Sequence, residues 1–341
     1  MKASFQWFAL LSYFLSFFIC ISSILQLDKE VVIREVDFDP KKDTIAFIHI
    51  QKTSGTLWIN EMRKSLIALD KNNGWSNVCV WNERRKFFDC LSSRSSFNRL
   101  SSVFWNLNEN FNCDIHANIG ELRKCIHADH RSKGKVNMIT MLRNPIERYI
   151  SEFKHVQKGA TWFKSVRYCK EKPLYSRNCY APHNDWSHAT WKDFLACDYN
   201  QANNRQVRML ADFFEIGCNS LDCWTKSEKN CSKDMKSSYE AKILENAKKN
   251  LRSLSFFGLT EHQSLSQYLF DKTFQKNLKF SENSIGLAEE NERLSSKLLE
   301  FEFKNYRNEI IARNTLDIAL HEYAEKIFFA RVSYFQNLNK T

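Results

Sequence analysis

The 341-residue chain contains no CxxC pair, and its nine histidines are scattered, so the ligand spacing of a structural zinc site is absent. No GxxxxGK[ST] string occurs either. That excludes the nucleotide-hydrolysing P-loop, whose lysine follows its glycines and whose hydroxyl holds magnesium. Glycine and proline are few, 8 and 4, and there is no repeat or low-complexity tract, which sets aside solenoids and unstructured linkers. Acidic side chains are short: 39 Asp and Glu against 50 Lys and Arg leave a formal charge of +11. Such an excess suits a polyanionic partner, whether sulfated glycan, nucleic acid or anionic membrane, and is equally compatible with a merely soluble basic protein. With 43% apolar residues, the chain has material for one large α/β domain or two smaller ones.

Residues 4–26 carry no charged side chain and run about as long as a helix needs to cross a bilayer. Lys2 precedes them and Asp28, Lys29 and Glu30 follow, the pattern of a signal anchor behind a very short basic tail. A cleaved signal peptide, cut after Ser22 and Ser23, is the competing reading; the length of the apolar run favours the anchor. Residues 28–43 are charged and lack a long apolar period, so they read as a short stem between the tail and anchor (1–27) and a globular part (44–341). Of the eleven cysteines only Cys20 lies in the apolar run, which leaves an even number for disulfides in an oxidising compartment. Cys169 with Cys179, and Cys218 with Cys223 or Cys231, are close pairs, but spacing does not choose the connectivity. Asn230 and Asn339 each open an N-glycosylation sequon.

The globular part is organised around Thr44 to Asn60, TIAFIHIQKTSGTLWIN. Ile45, Phe47, Ile48 and Ile50 make a short buried strand of the kind found in parallel sheets. Gln51 to Thr56 then supplies small side chains, one glycine and unpaired N–H groups at a helix start, where the helix dipole favours an anion. Lys52 adds a positive charge, and because it precedes Gly55 the string argues for a phosphate or sulfate loop with no metal obviously held, against an ordinary strand-turn-helix with a surface lysine.

A second strand, turn and helix follows at Val136 to Gln157, VNMITMLRNPIERYISEFKHVQ. Val136, Met138, Ile139, Met141 and Leu142 form the strand. Pro145 suits a first helical turn, and Ile146, Tyr149, Ile150 and Phe153 recur at helical spacing. Arg143 at the strand end presents a fork suited to phosphate, and Ser151 lies two turns into the helix. Two anion sites on adjacent strand ends fit a nucleotide carrying phosphate at two places.

Elsewhere the signals are weaker. Residues 72–112, rich in Asn, Ser, Arg and aromatics with a cluster at Arg84, Arg85 and Lys86, read as an irregular surface excursion, either a solvated loop or a glycan-contacting wall. Trp162 near Lys158 combines an apolar face with charge, which suits a sugar ring with sulfate neighbours and a core equally, whereas Trp186 and Trp191 read as core. In 201–212, Val207, Leu210 and Ala211 form one helical face and leave Arg205 and Arg208 to project elsewhere, toward an acceptor chain or into surface ion pairs. Further helices are expected over 239–251 and 262–274, a strand over 255–259, and one or two helices over 291–335.

The loop QKTSGT, the stretch LRNPIERYISEFKHVQKGATW (Leu142 to Trp162) and NNRQVRMLAD (Asn203 to Asp212) closely resemble the heparan sulfate 6-O-sulfotransferases. The likeness runs from about Ala46 to about Phe335 and is weakest between about Met62 and Phe111. It implies a doubly wound, mainly parallel sheet with a P-loop-like phosphosulfate loop, ligands at its carboxyl edge, and added C-terminal helices. It also implies transfer of a sulfuryl group from 3′-phosphoadenosine 5′-phosphosulfate (PAPS) to the glucosamine 6-hydroxyl of heparan sulfate, without a metal. In this reading Lys52, Thr53, Ser54, Gly55 and Thr56 hold the 5′-phosphosulfate and Arg143 and Ser151 the 3′-phosphate. His116 matches the family's Cys-x-x-His-Ala base through Cys113, and His127 is a decoy in a repeated His-Ala. Lys158, Trp162, Arg205 and Arg208 would face the glycan. The implied partner is then heparan sulfate and not nucleic acid, and the implied location is the Golgi membrane, single-pass type II with a luminal catalytic domain. Two departures stand out: Ser54-Gly55 where the family usually has Gly-Gly, and Arg143-Asn144-Pro145 in place of Arg-Asp-Pro. A same-fold sulfotransferase acting on the uronic acid 2-hydroxyl or on chondroitin is one alternative, and a non-catalytic heparan-binding relative is another.

Overall fold

A computed structural model of the chain describes residues 33, 35–39, 43–73, 78–82, 87–91, 117–128, 134–159, 167–169, 172–174, 189–197, 200–217, 233–274 and 303–338. Strand β1 (Thr44–Ile48) pairs in parallel with β4 (Val136–Leu142), from Thr44 opposite Val136 to Ile48 opposite Thr140. On its other side β4 pairs in parallel with β7 (Phe256–Leu259). Apolar side chains line both faces: Ile48, Ile139, Met141, Phe257 and Leu259 are fully buried, as a sheet covered on both sides requires.

Parallel neighbours need long crossovers, and helices supply them. Helices α1 (Gly55–Asn73) and α2 (Ile119–Ala128) lie between β1 and β4. Between β4 and β7 come α3 (Pro145–Val156), α4 (Trp191–Ala196), α5 (Arg205–Leu210), α6 (Phe213–Ile216) and α7 (Lys233–Ser253). After β7 come a 3-10 turn (Thr260–His262), α8 (Gln263–Phe274), α9 (Arg307–Arg313) and α10 (Thr315–Leu338).

The described strands stand in the order β1-β4-β7, a small parallel sheet that follows chain order. One expectation is corrected here. The stretch 72–112 is not wholly irregular: β2 (Val78–Asn82) and β3 (Phe87–Leu91) form an antiparallel hairpin within it. A second, shorter hairpin joins β5 (Arg167–Cys169) and β6 (Lys172–Leu174).

Two aromatic clusters hold the helices. Trp58 of α1 stacks on Phe256 at 5.4 Å and donates its indole N–H to Gln263 at 2.8 Å, which fastens α1 to β7 and α8. Tyr149, Phe153, Trp191, Phe194 and Phe303 form the other, with Trp191 only 4.4 Å from Phe153, centroid to centroid. Trp191 is thus the core residue it was expected to be. Cys197, buried beside this cluster, is disulfide-bonded.

Residues 4–26, His116, Trp162, Trp186, Cys179, Cys218, Cys223, Cys231, Asn230 and Asn339 lie outside the described residues. Among the described residues no helix is long and apolar enough to cross a membrane.

Candidate functional site

The carboxyl ends of β1, β4 and β7 meet at one edge of the sheet. Thr260, just past β7, sets its hydroxyl 3.1 Å from the Thr53 carbonyl and 2.9 Å from that of Leu142, so one side chain bridges the loops that follow β1 and β4. Beside it the Asn144 N–H donates to the Glu261 carboxylate.

In the loop after β1, Lys52 and Ser54 have positive φ of 66° and 58°, with Thr53 between them. Alternation of this kind gathers successive backbone N–H groups into an anion-binding concavity. The Thr53 hydroxyl instead donates inward to the Ile50 carbonyl at 2.8 Å, and the side chain is fully buried. Thr53 therefore braces the loop, and only its backbone can face a ligand. Lys52 and Ser54 are half-buried and Thr56 is exposed. At Gly55 a Cβ would stand 2.4 Å from the His49 ring, so glycine lets the start of α1 approach the end of β1. Ser54, where the family usually has glycine, bears the cost of a left-handed conformation, about 1–2 kcal/mol. Part of that is offset because glycine has more freedom to lose on folding. Ser54→Gly is expected to raise stability by about 0.5–1 kcal/mol in urea unfolding. Ser54→Ala keeps the Cβ and should give no such gain.

The second candidate anion site begins where β4 ends. Gln206 of α5 clasps the Arg143 backbone, accepting from its N–H at 2.9 Å and donating to its carbonyl at 2.8 Å. The Arg143 side chain is buried, with Nη2 3.3 Å from Glu147, while Nε has no hydrogen-bond partner among the described residues. A buried fork with an unused donor is suited to a planar or tetrahedral oxyanion. Asn144 caps α3, accepting from Ile146 N–H at 3.0 Å and Glu147 N–H at 3.4 Å with Pro145 in the first turn, so asparagine in place of aspartate keeps the cap. Ser151 is half-buried along α3, and Lys158 is exposed just beyond the end of the helix.

Arg205 is not where the helical pattern sends it. It is buried beneath the loop, donating through Nε to Glu152 at 3.1 Å and through Nη1 to Gln51 at 3.1 Å, and it also pairs with Glu152 through Nη2. With its donors so committed, the expected reach toward an acceptor chain is corrected: the non-apolar face of α5 packs on the buried carboxylate of α3 and not on solvent. Burial alone would raise the Glu152 carboxyl, but the Arg205 and Arg148 guanidiniums outweigh it and hold it below its ordinary value. Arg208 is half-buried and donates to the Gln201 carbonyl.

Helices α5 and α10 cap one another. Asp317 accepts from the N–H groups of Gln206 at 3.1 Å and Val207 at 2.8 Å, while Asn204 accepts from those of Leu316 at 3.0 Å and Asp317 at 3.1 Å. Immediately after His116, Asn118 and Glu121 cap α2 reciprocally at 2.9 and 3.0 Å, which fixes the chain next to the expected base. His127 lies near the far end of that helix, about 12 Å along it at 1.5 Å per residue.

Two imidazoles feel the Lys52 charge. Burial, and then Lys52, push His49 down to about 4. Burial and Lys52 also lower His155, against the pull of Glu152. Both rings are therefore neutral at neutral pH and leave Lys52 as the local cation. At the far side of Glu261, His321 lies 3.5 Å from its carboxylate and 3.7 Å from Glu325. Burial opposes charging this ring, but Glu261, then Glu325 and Asp317, outweigh it and raise its pKa above 6.5. Burial likewise opposes the Glu261 charge, and His321 and the Asn144 N–H lower it below 4.5 all the same. The His321 contribution to stability is whole below pH 6.5 and fades as pH rises through the raised value. That of Glu261 is present above pH 4.5 and is lost as pH falls through the lowered value. The melting-temperature gap between the native protein and His321→Gln should thus be widest between pH 4.5 and 6.5 and close on both sides.

A parallel sheet whose carboxyl edge carries a lysine loop and a buried arginine fork is an anion-handling α/β architecture, and residues 34–324 match the profile of the sulfotransferase family, to which the chain belongs. The chain is 35% identical over 320 residues to "Heparan-sulfate 6-O-sulfotransferase 2" of Mus musculus, covering 89% of this chain and 47% of that protein. It is 36% identical over 318 residues to "Heparan-sulfate 6-O-sulfotransferase 3" of Homo sapiens, covering 89% and 62%. To "Heparan-sulfate 6-O-sulfotransferase 1" of Cricetulus griseus it is 34% identical over 322 residues, covering 90% and 73%. Within its class it is a member of the heparan-sulfate 6-O-sulfotransferase family, and it spans about half the length of the first of these relatives.

Several residues that build the site escaped the sequence: Glu152, Gln206, Thr260 and Asp317. The one signal for them was Arg148 and Glu152, four apart inside the apolar face of α3, a pairing that calls for a buried partner.

Proposed function

We propose that the chain transfers a sulfuryl group from PAPS to the 6-hydroxyl of glucosamine in heparan sulfate. The observation that carries this reading is the pairing, at one sheet edge, of the Lys52 loop with the buried Arg143 fork, two cationic sites for the two phosphate-bearing ends of one nucleotide. The backbone N–H groups of 52–56, the Lys52 ammonium and the hydroxyls of Ser54 and Thr56 hold the 5′-phosphosulfate. Arg143 and Ser151 hold the 3′-phosphate.

His116 takes the proton of the acceptor hydroxyl as that oxygen attacks sulfur in line. The new O–S bond forms while the bond from sulfur to the bridging oxygen breaks. Adenosine 3′,5′-bisphosphate leaves with the electron pair, and the imidazole keeps the proton. Lys52, with no metal required, offsets the charge that grows on the bridging oxygen. Lys158, Trp162 and Arg208 face the glycan, and Arg205 supports the loop from below. Residues 4–26 anchor the protein in the Golgi membrane with the catalytic part in the lumen, where Asn230 and Asn339 meet the glycosylation machinery and further disulfides form.

The test is transfer of labelled sulfate from PAPS to desulfated heparan sulfate by the full chain in detergent, followed by disaccharide analysis. Label on the glucosamine 6-hydroxyl is the expected result. Label on uronic acid or on chondroitin overturns the acceptor assignment, and PAPS binding without any transfer overturns the enzyme.

A further inference from the structure

The charges buried beneath the loop form one connected path. Gln51, the first residue of the loop, is 2% exposed and accepts from Arg205 Nη1 at 3.1 Å. Arg205 Nε then donates to Glu152 at 3.1 Å, and Glu152 also receives Arg148, whose Nη2 reaches the Ala202 carbonyl at 2.6 Å. Glu152 is the neighbour of Ser151 on α3, and Gln51 is the neighbour of Lys52. The path thus runs from one proposed phosphate site to the other. It is shielded from water, where a guanidinium with its donors committed has few alternative partners.

We propose that Arg205 is a positioning residue that fixes the spacing between the loop 51–54 and α3, so that the two anion sites accept both ends of one nucleotide together. Arg205 suits this task because its planar fork can hold a carboxylate and an amide oxygen at once, which a lysine ammonium cannot do in the same geometry. Loss of the link leaves each site intact and their separation unset. A ligand that engages both sites loses affinity, whereas one that engages α3 and Arg143 alone does not.

This inference rests on the proposed PAPS site. The test compares adenosine 3′,5′-bisphosphate, which carries both phosphates, with adenosine 3′-monophosphate, binding each to the full chain by calorimetry. Gln51→Leu keeps the side-chain bulk and leaves the Arg205–Glu152 pair in place, so it is the variant that folds. Arg205→Lys is the second, with thermal unfolding of both followed in parallel. Expected is about tenfold weaker binding of the bisphosphate to each variant, with the 3′-monophosphate unchanged within twofold. The double variant should be no weaker than Arg205→Lys alone, because both substitutions cut one link. Equal weakening of both nucleotides, unchanged bisphosphate binding, or multiplying effects in the double variant overturns the inference while the native protein still binds both ligands. Failure of the native protein to bind the bisphosphate overturns the PAPS site, and the inference with it.

Discussion

His116→Ala is expected to slow sulfuryl transfer about a hundredfold to ten-thousandfold, the range typical of removing a general base, while adenosine 3′,5′-bisphosphate binds as before. The acceptor hydroxyl is a poor nucleophile until its proton leaves, and a neutral imidazole near its ordinary pKa removes it most effectively at neutral pH. The start of α2, which follows His116 in the chain by three residues, is capped by Asn118 and Glu121 and packed through Gly120 against Asp212. The control is His127→Ala at the far end of α2, which should keep the native rate. A His116→Ala protein that turns over at the native rate, with native melting behaviour, would remove His116 from the mechanism.

Lys52→Ala should cost about a hundredfold to a thousandfold in turnover, the typical loss when one group aimed at developing charge is removed. Because lysine and alanine share the cost of a left-handed φ, the substitution keeps the backbone strain and deletes only the charge. A second readout separates electrostatics from damage to the loop. His49, held at about 4 by burial and by Lys52, and His155, also lowered by both, should titrate at higher pH in the variant, followed by NMR. A lost rate with unmoved imidazoles would mean that the loop had shifted and the charge had not acted.

The two strand–loop–helix units were legible because each changes period sharply. TIAFIHI is apolar at nearly every position, and Ile146, Tyr149, Ile150 and Phe153 then recur at helical spacing, so β1, β4 and α3 fall close to their expected bounds. Strand order was not legible, since alternation of strand and helix implies parallel pairing but says nothing about where the order reverses. The hairpin β2–β3 was hidden because composition, rich in asparagine, serine and arginine, argues for a loop more loudly than ten strand residues argue for pairing. Arg205 shows the limit most clearly. A six-residue helix reveals which of its sides is apolar, but the carboxylate that draws its other side inward lies 53 residues earlier, on another element.

The mutual capping of α5 and α10 bears on when this protein can become competent during its synthesis. The Val207 N–H and the Asp317 carboxylate that satisfies it are 110 residues apart, so the segment that clasps Arg143 from beneath leaves the ribosome long before its partner exists. Until residue 317 has emerged, the first turn of α5 has no carboxylate for its amides, and Gln206 has no settled position from which to hold the end of β4. Assembly of the candidate anion site is therefore expected to come late. A nascent chain cut short before α10 is expected to leave that site unmade, however well the sheet has formed.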